Sequence, residues 1–229
     1  MLKKVVPKKA VVLLSGGLDS ATTLYWVVDR GYEAFCLIFD YGQRHKREIE
    51  QAKKISRKAN CKYKVVKIEL PWKGSSLLDR KVPIPEDRGF SEMAKGIPST
   101  YVPARNTIFL SMALSFAEAI GAEEIFIGAH QFDSSGYPDC RPEFYKAFGE
   151  VIRRGTKAGQ DKRDISIKTA FITRTKTQIV KIGSRLNVPF ELTWSCYRGG
   201  KYPCGRCDSC RLRAKGFKEA GLSDPLLMG

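Results

Sequence analysis

Five successive apolar residues, Ala10-Val11-Val12-Leu13-Leu14, run without a break into Ser15-Gly16-Gly17-Leu18-Asp19-Ser20. A strand that is apolar on both faces belongs in the middle of a sheet covered by helices on each side, which favours a parallel α/β architecture over an open antiparallel one. Up to about Leu192 the chain keeps alternating short β-branched runs with longer amphipathic ones, as strands joined by crossover helices require. The expected fold class is therefore α/β, with a doubly wound, mostly parallel sheet.

Local signals place the elements. Residues 18–30 predict a helix with Asp19 and Ser20 in its first turn and Gly31 as its C-terminal cap. Further strands are predicted over 34–39 (ending at Asp40), 63–70, 124–129 and 165–172, and helices over 44–59, 104–120, 143–154 and 175–186. The 104–120 helix is apolar nearly all round, which predicts burial against the sheet. Pro71, Pro83, Pro85, Pro98 and Pro103, interspersed with Gly74, Gly89 and Gly96, make 71–103 a long irregular insertion. Beyond Thr193 the composition shifts to cysteines and a basic helix over 208–220. The division expected is an α/β domain over 1–192 and a small four-cysteine segment over 193–229.

No stretch is long and apolar enough to suggest a membrane span, and the apolar run after the N-terminal lysines (Lys3, Lys4, Lys8, Lys9) leads into a glycine turn rather than a cleavage site. A cytoplasmic protein is the expectation. Forty Lys plus Arg against 24 Asp plus Glu give a formal charge of +16, a field that attracts nucleotides or RNA or simply keeps the protein soluble. Direct tRNA binding is the weaker inference from it.

The Ser15–Ser20 turn sits where backbone N–H groups, released from a strand and not yet paired in a helix, point outward. Two glycines allow a close approach of the main chain to an anion, and Ser15 and Ser20 add hydroxyl donors. It lacks the lysine of the kinase-type phosphate loop and the third glycine of the dinucleotide fingerprint. It resembles instead the SGGxDS motif of the PP-loop ATP-pyrophosphatases, whose fold is Rossmann-like and adenine nucleotide alpha hydrolase-like. That resemblance implies ATP held along Leu14, Ser15, Gly16, Gly17, Leu18, Asp19, Ser20, Ala21, Thr22, Thr23 and Leu24. It also implies cleavage between the α and β phosphates and transfer of AMP to the substrate, with Asp19 beside Mg²⁺ and the departing pyrophosphate. Asp40 ends the second strand, where open α/β sheets bind ligands, and it can equally cap the next helix.

Cys196, Cys204, Cys207 and Cys210 follow a C-x7-C-x2-C-x2-C spacing. Four thiolates that converge on one ion fill a tetrahedral Zn²⁺ site and leave no open position for water, so the expected ion is structural. Arg198, Arg206, Arg211 and Arg213 are placed to offset its negative charge. An iron–sulfur cluster and plain disulfides are the competing readings. Cys36, Cys61 and Cys140 stand apart, and of these Cys140 lies beside expected site residues.

Three loops carry more polar chemistry than a connection needs: residues 41–45, 101–106 and 136–144. Tyr101, Arg105, Asn106, Asp133, Tyr137, Asp139 and Arg141 are the substrate-binding candidates. Arg105 can pair a carboxylate bidentately, and Asp133 or Asp139 can accept from a guanine-like edge. Together with SGGLDS and the cysteine tail, these loops are similar to those of the 7-cyano-7-deazaguanine synthase family over about residues 11–212. The resemblance implies a ligase that converts 7-carboxy-7-deazaguanine and ammonia to the nitrile, for queuosine or archaeosine, through an adenylated carboxylate and then an adenylated amide. Ser15, Asp19, Ser20 and Arg105 are the catalytic candidates, charge stabilisation is the expected source of rate, and His45 and His130 are read as structural or capping, with assistance to ammonia deprotonation as the alternative. The resemblance also implies a homodimer. A tRNA-thiolating or amidating ligase would share the turn, but thiolation asks for a reactive cysteine pair, and the only C-x2-C steps lie in the metal cluster. A zinc-ribbon nucleic-acid module is the rival from another class, and it would have no use for the SGGLDS turn.

Overall fold

A computed structural model describes residues 6–93 and 95–227. Lys3 and Lys4 of the basic N-terminal run, and the extreme ends of the two expected segments, lie outside the described residues.

Five strands form one sheet in the order β3-β2-β1-β4-β5, and every neighbouring pair is parallel. They are β1 (Lys9–Leu13), β2 (Glu33–Asp40), β3 (Lys62–Lys67), β4 (Glu124–Ile127) and β5 (Ser166–Lys168). The helices in chain order are α1 (Leu18–Asp29), α2 (Arg47–Lys58), α3 (Phe90–Met93), α4 (Arg105–Ile120), α5 (Gln131–Gly136), α6 (Pro142–Gly155), α7 (Lys157–Gln160), α8 (Lys176–Arg185) and α9 (Asp208–Ala220).

Side-chain alternation along the central strands builds the two faces. Val11 and Leu13, with Leu37 and Phe39, join Leu110, Ala113 and Ala117 of α4 and Phe148 and Ile152 of α6 in one core. Ala10, Val12 and Leu14, with Cys36 and Ile38, join Leu24 and Val27 of α1, Ile55 of α2 and Ile179 of α8 in the other. The doubly wound reading of the continuous apolar run is therefore correct. Being covered on both sides, β1 lies at the centre of the sheet, and its C-terminal end opens at the point where the strand order reverses, the usual ligand crevice of such sheets.

The departures from the expected elements have local causes. Helix α2 starts at Arg47 and not at 44, because Arg44 N–H donates to the Leu77 carbonyl at 2.8 Å and Gln43 folds back on Tyr41 and Phe39. β5 stops at Lys168, after which turns from Thr169 to Ile172 and from Phe171 to Arg174 replace the expected strand. Helix α4 is buried along one side only: Leu110, Ala113 and Ala117 are enclosed, while Ser111, Met112, Ser115 and Ala119 are exposed. Its all-round apolar character did not translate into all-round burial. The proline-rich insertion is irregular apart from α3. It is tied to the cysteine segment through a Glu86–Cys207 bridge and an Asp87 N–H bond to the Arg206 carbonyl.

Candidate active site and metal centre

At the end of β1, Gly16 takes a left-handed φ of +85° and lies directly against α2; a methyl group there would run into the Glu48 carbonyl and the Ala52 amide. The turn is held by its own hydroxyls. Ser15 and Ser20 Oγ are 2.9 Å apart, Gly17 N–H donates to Ser15 Oγ and Ser20 Oγ donates to the Gly17 carbonyl. Trp194 N–H pins the Gly16 carbonyl at 2.9 Å. No side chain caps α1 at Gly17, so the first-turn amides are left for an anion.

Asp19 leaves that first turn to meet Lys176, whose Nζ lies 2.7 and 2.6 Å from the two carboxylate oxygens. The same ammonium is 2.9 Å from His130 Nε2, and the His130 ring faces Asp133 at 3.5 Å. Burial opposes the charge on Asp19, but the nearby Lys176 and His130 outweigh it and hold the carboxyl below its ordinary pKa. Burial also lowers the pKa of His130, which favours its neutral form. Lys176 is delivered by a capping box, in which Thr175 and Gln178 close the start of α8.

A cavity of about 250 Å³ extends from this turn to a second wall. There Arg105 Nη1 donates to the Tyr41 hydroxyl at 3.3 Å, and Phe39 and Phe109 stack with ring centres 4.0 Å apart. Burial works against the guanidinium of Arg105, but Tyr41 and Tyr137 facing it prevail and its pKa stands above the ordinary value. Glu48 also faces the cavity, and one of its oxygens accepts a 3.0 Å bond from Gln43 Nε2. Burial raises its pKa to about 7 against the opposing pull of Gln43 and Arg105. One end of the cavity thus presents amides, hydroxyls and the Asp19 carboxylate, and the other presents aromatic rings, a guanidinium and a neutralisable carboxyl. Such a space takes a polyanion at one end and a flat polar molecule at the other.

Of the nucleotide-binding candidates, Leu14, Ser15, Gly17, Leu18, Asp19 and Ser20 line the cavity. Ala21, Thr22 and Leu24 are fully enclosed on the inner side of α1, and the hydroxyls of Thr22 and Thr23 bond the Leu18 and Asp19 carbonyls. Asp40 sits outside the cavity wall, paired with Lys46 at 3.1 Å, and does not cap α2. Of the substrate candidates, Arg105, Asn106, Asp133 and Tyr137 line the same cavity. Asp139 is buried and accepts from Asn106 N–H at 3.0 Å, fixing the start of α4, and Arg141 is exposed at the start of α6. Tyr101 stands beside Tyr137, and its hydroxyl accepts from Ala104 N–H at 3.0 Å. Cys140, raised in pKa by burial, contacts Asn106 at 3.1 Å and is no ready nucleophile. His45 is buried against Gly199.

Sequence reasoning missed Lys176, Glu48, Trp194 and Tyr197, and reached Gln43 only as part of the polar 41–45 loop. The lysine carried a faint signal in being a cation at the first position of a capped helix, where a positive charge is unfavourable unless an anion meets it.

Cys196, Cys204, Cys207 and Cys210 place their sulfurs within 4.8 Å of one another. Tetrahedral Zn–S bonds of about 2.3 Å put sulfurs roughly 3.8 Å apart, so the donor set fits one such ion with little adjustment. Cys204 N–H points at Cys196 Sγ and Cys207 N–H at Cys204 Sγ, at 3.4 and 3.3 Å, the kind of donors that stabilise thiolates. With Trp194 and Ile84 the cysteines form a small core of their own.

The family model described as "Queuosine biosynthesis protein QueC" matches residues 9–221. A 7-cyano-7-deazaguanine synthase of Thermoplasma volcanium is 51% identical over 222 residues, covering 96% of this chain and 91% of the relative. The synthase of Trichodesmium erythraeum is 50% identical over 221 residues, covering 96% of this chain and all of the relative. Among solved structures, an NMN synthetase from Francisella tularensis superposes with a TM-score of 0.51 at 15% identity, over 96% of this chain and 81% of that one, which is a likeness of fold. With the match running from the first strand through the last helix, this chain belongs to the QueC family of queuosine biosynthesis proteins.

Proposed function

We infer that the protein is a 7-cyano-7-deazaguanine synthase, a ligase that uses ATP to join 7-carboxy-7-deazaguanine and ammonia and carries the product on to the nitrile. The observation that carries this reading is the single cavity that holds the Ser15–Ser20 turn, Asp19 and Arg105 together. The turn amides hold the triphosphate end, and Lys176 fixes the Asp19 carboxylate beside them. Arg105, with Tyr41 and Tyr137, meets the substrate carboxylate and turns it towards the α-phosphate, and Asn106 and Asp133 face the ring. Two oxygens leave the carboxyl carbon, so two activations at the same place are required. Preorganised donors that match the charge developing on the phosphates supply the main acceleration.

Asp19 is the residue that would hold Mg²⁺, which when bound neutralises phosphate charge and favours departure of pyrophosphate. Zn²⁺ is the ion we assign to the four cysteines, and its role is structural. A homodimer and a cytoplasmic location belong to the same proposal, as does an acceptor that is the free base rather than tRNA.

The test is direct. The protein is incubated with 7-carboxy-7-deazaguanine, ammonium and Mg-ATP, and products are identified by mass spectrometry. Amide followed by nitrile is expected; neither appearing, under conditions where ATP binds, rejects the reading.

A further inference from the structure

We propose that Glu48 is the proton acceptor for the nitrogen that becomes the nitrile. The inference rests on the activity proposed above and adds to it a residue and a role. Ammonia enters with three hydrogens on nitrogen and the nitrile has none, so three protons leave the same atom during one turnover. In the first step the nitrogen lone pair becomes the C–N bond, the C–O bond to AMP breaks with its electron pair leaving on the phosphate, and the nitrogen gives up a proton. In the second the amide oxygen attacks ATP and pyrophosphate departs as nitrogen loses its next proton. In the third the C–O bond to AMP breaks again, and loss of the last N–H proton completes the triple bond. A fixed acceptor beside that atom must take a proton and release it repeatedly.

The cavity and its edge offer few acceptors in a state to do this. His45 lines the cavity, but its ring is enclosed against Gly199 of the cysteine segment. Asp19 is engaged through both oxygens by Lys176. Asp133 is shared with His130, bonded to its backbone N–H at 3.2 Å and facing its ring. His130 Nε2 is taken up by the Lys176 ammonium. Cys140 and Tyr41, whose pKa values burial raises, give up their protons too reluctantly to serve as bases.

Glu48 differs in geometry. It lines the cavity from α2, the helix whose backbone abuts Gly16 of the phosphate turn, and Gln43 holds its Oε1. Gln43 is itself locked, accepting from Tyr41 N–H at 2.8 Å and donating to the Phe39 carbonyl at 3.1 Å. That leaves Oε2 with no hydrogen bond among the described residues and with its direction fixed. The charged and titratable groups that face it are Arg105 of α4 and Tyr41 at the end of β2. Arg105 also meets the substrate carboxyl, so the reacting carbon and the open oxygen share one neighbour. A carboxyl that titrates near neutrality both accepts and releases protons readily, as general acid–base work asks.

Glu48→Gln keeps the shape and the Gln43 contact while removing the base. Wild-type enzyme is first tested for carboxylate-dependent ATP–pyrophosphate exchange; its absence would reject the adenylating function itself, separately from the role of Glu48. In the variant, exchange is expected within a few-fold of wild type, while amide formation from ammonia falls on the order of 100-fold. Hydroxylamine, a nucleophile that takes adenylates with little need of a base, should still give hydroxamate at near wild-type rate. Wild-type amide formation with saturating ammonia should fall as pH drops through about 7, and this limb should vanish in Glu48→Gln and return in Glu48→Asp. Loss of exchange, loss of the hydroxylamine reaction, or undiminished amide formation in the variant would each overturn the proposal, the first two by showing that Glu48 acts in binding or positioning.

Discussion

Arg213 on α9 permits a sharp test of what holds the C-terminal segment to the sheet domain. Its side chain and that of Asp224 are each only 5% exposed, and Nε and Nη2 donate to the two carboxylate oxygens at 2.6 and 2.8 Å. The same guanidinium reaches back to Thr193 Oγ1 at 2.6 Å and to the Phe190 carbonyl at 3.1 Å, just before the cysteine cluster begins. Arg213→Met retains most of the volume but leaves the Asp224 carboxylate buried with, among the described residues, a single 3.1 Å donor, the amide of Leu226. Removing one partner of a buried pair costs about 3–5 kcal/mol. At an unfolding slope of roughly 3 kcal/mol per molar urea, the midpoint should fall by about 1–1.7 M. Replacing both partners, as Arg213→Met with Asp224→Leu, should restore most of the loss, because an apolar pair of similar volume is often as stable as a buried ion pair. The assay is urea unfolding followed by circular dichroism, with bound metal measured in parallel to show that the cluster is intact. A single-variant shift below about 0.3 M at unchanged slope would refute the reasoning. So would a double variant as weak as the single one, which would place the stabilisation in the Thr193 and Phe190 contacts.

Gly16→Ala should lose ATP binding and about 1–3 kcal/mol of stability, since a left-handed φ and the wall of α2 both oppose a side chain; equilibrium binding of a fluorescent ATP analogue checks it, and unchanged affinity would mean that the turn does not grip the nucleotide. Cys207→Ser should reduce bound metal and lower the thermal midpoint, read by elemental analysis and calorimetry, because binding free energy to such a cluster is folding free energy. Lys176→Met should raise the Asp19 pKa. A carboxyl depressed in the folded state contributes stability above its unfolded value of about 3.9 and loses it as pH falls through the folded value. The variant should therefore lose this contribution at higher pH than wild type, as a shifted acid limb of the urea midpoint; coincident limbs would show that Lys176 does not hold that charge.

How much of this was legible in the sequence depended on how local the cause was. The apolar run 10–14 fixed β1 at the centre because burial on both faces is written into consecutive residues, and Gly121 marked the end of α4 because only the left-handed region, here φ +69°, closes that helix. The end of β5 and the start of α2 were not legible. Each is decided by a bond to a distant backbone group or by a tight turn that competes with regular pairing, as when Leu77 captures the Arg44 amide. The open side of α4 was equally hidden, since periodicity tells which residues could be buried and not whether a partner covers them.

The same division runs through the site, and it explains why one half of the chemistry was read and the other was not. Six successive residues make the phosphate turn, so its amides, hydroxyls and aspartate appear together in the chain. Asp19 and Lys176, by contrast, are 157 positions apart and meet only because α8 packs beside α1. With β1 central and β2 and β4 on either side of it, the strand ends bring Tyr41 and Glu48 to one flank of the turn and His130 and Asp133 to the other. Each flank then has its own electrostatic character. The β4 side is a closed relay of aspartate, lysine and histidine that fixes charge beside the Ser15–Ser20 turn. The β2 side keeps Glu48, a carboxyl with a pKa of about 7 and one oxygen without a hydrogen bond among the described residues, and a group in that condition can take up and release the protons of a reacting nitrogen.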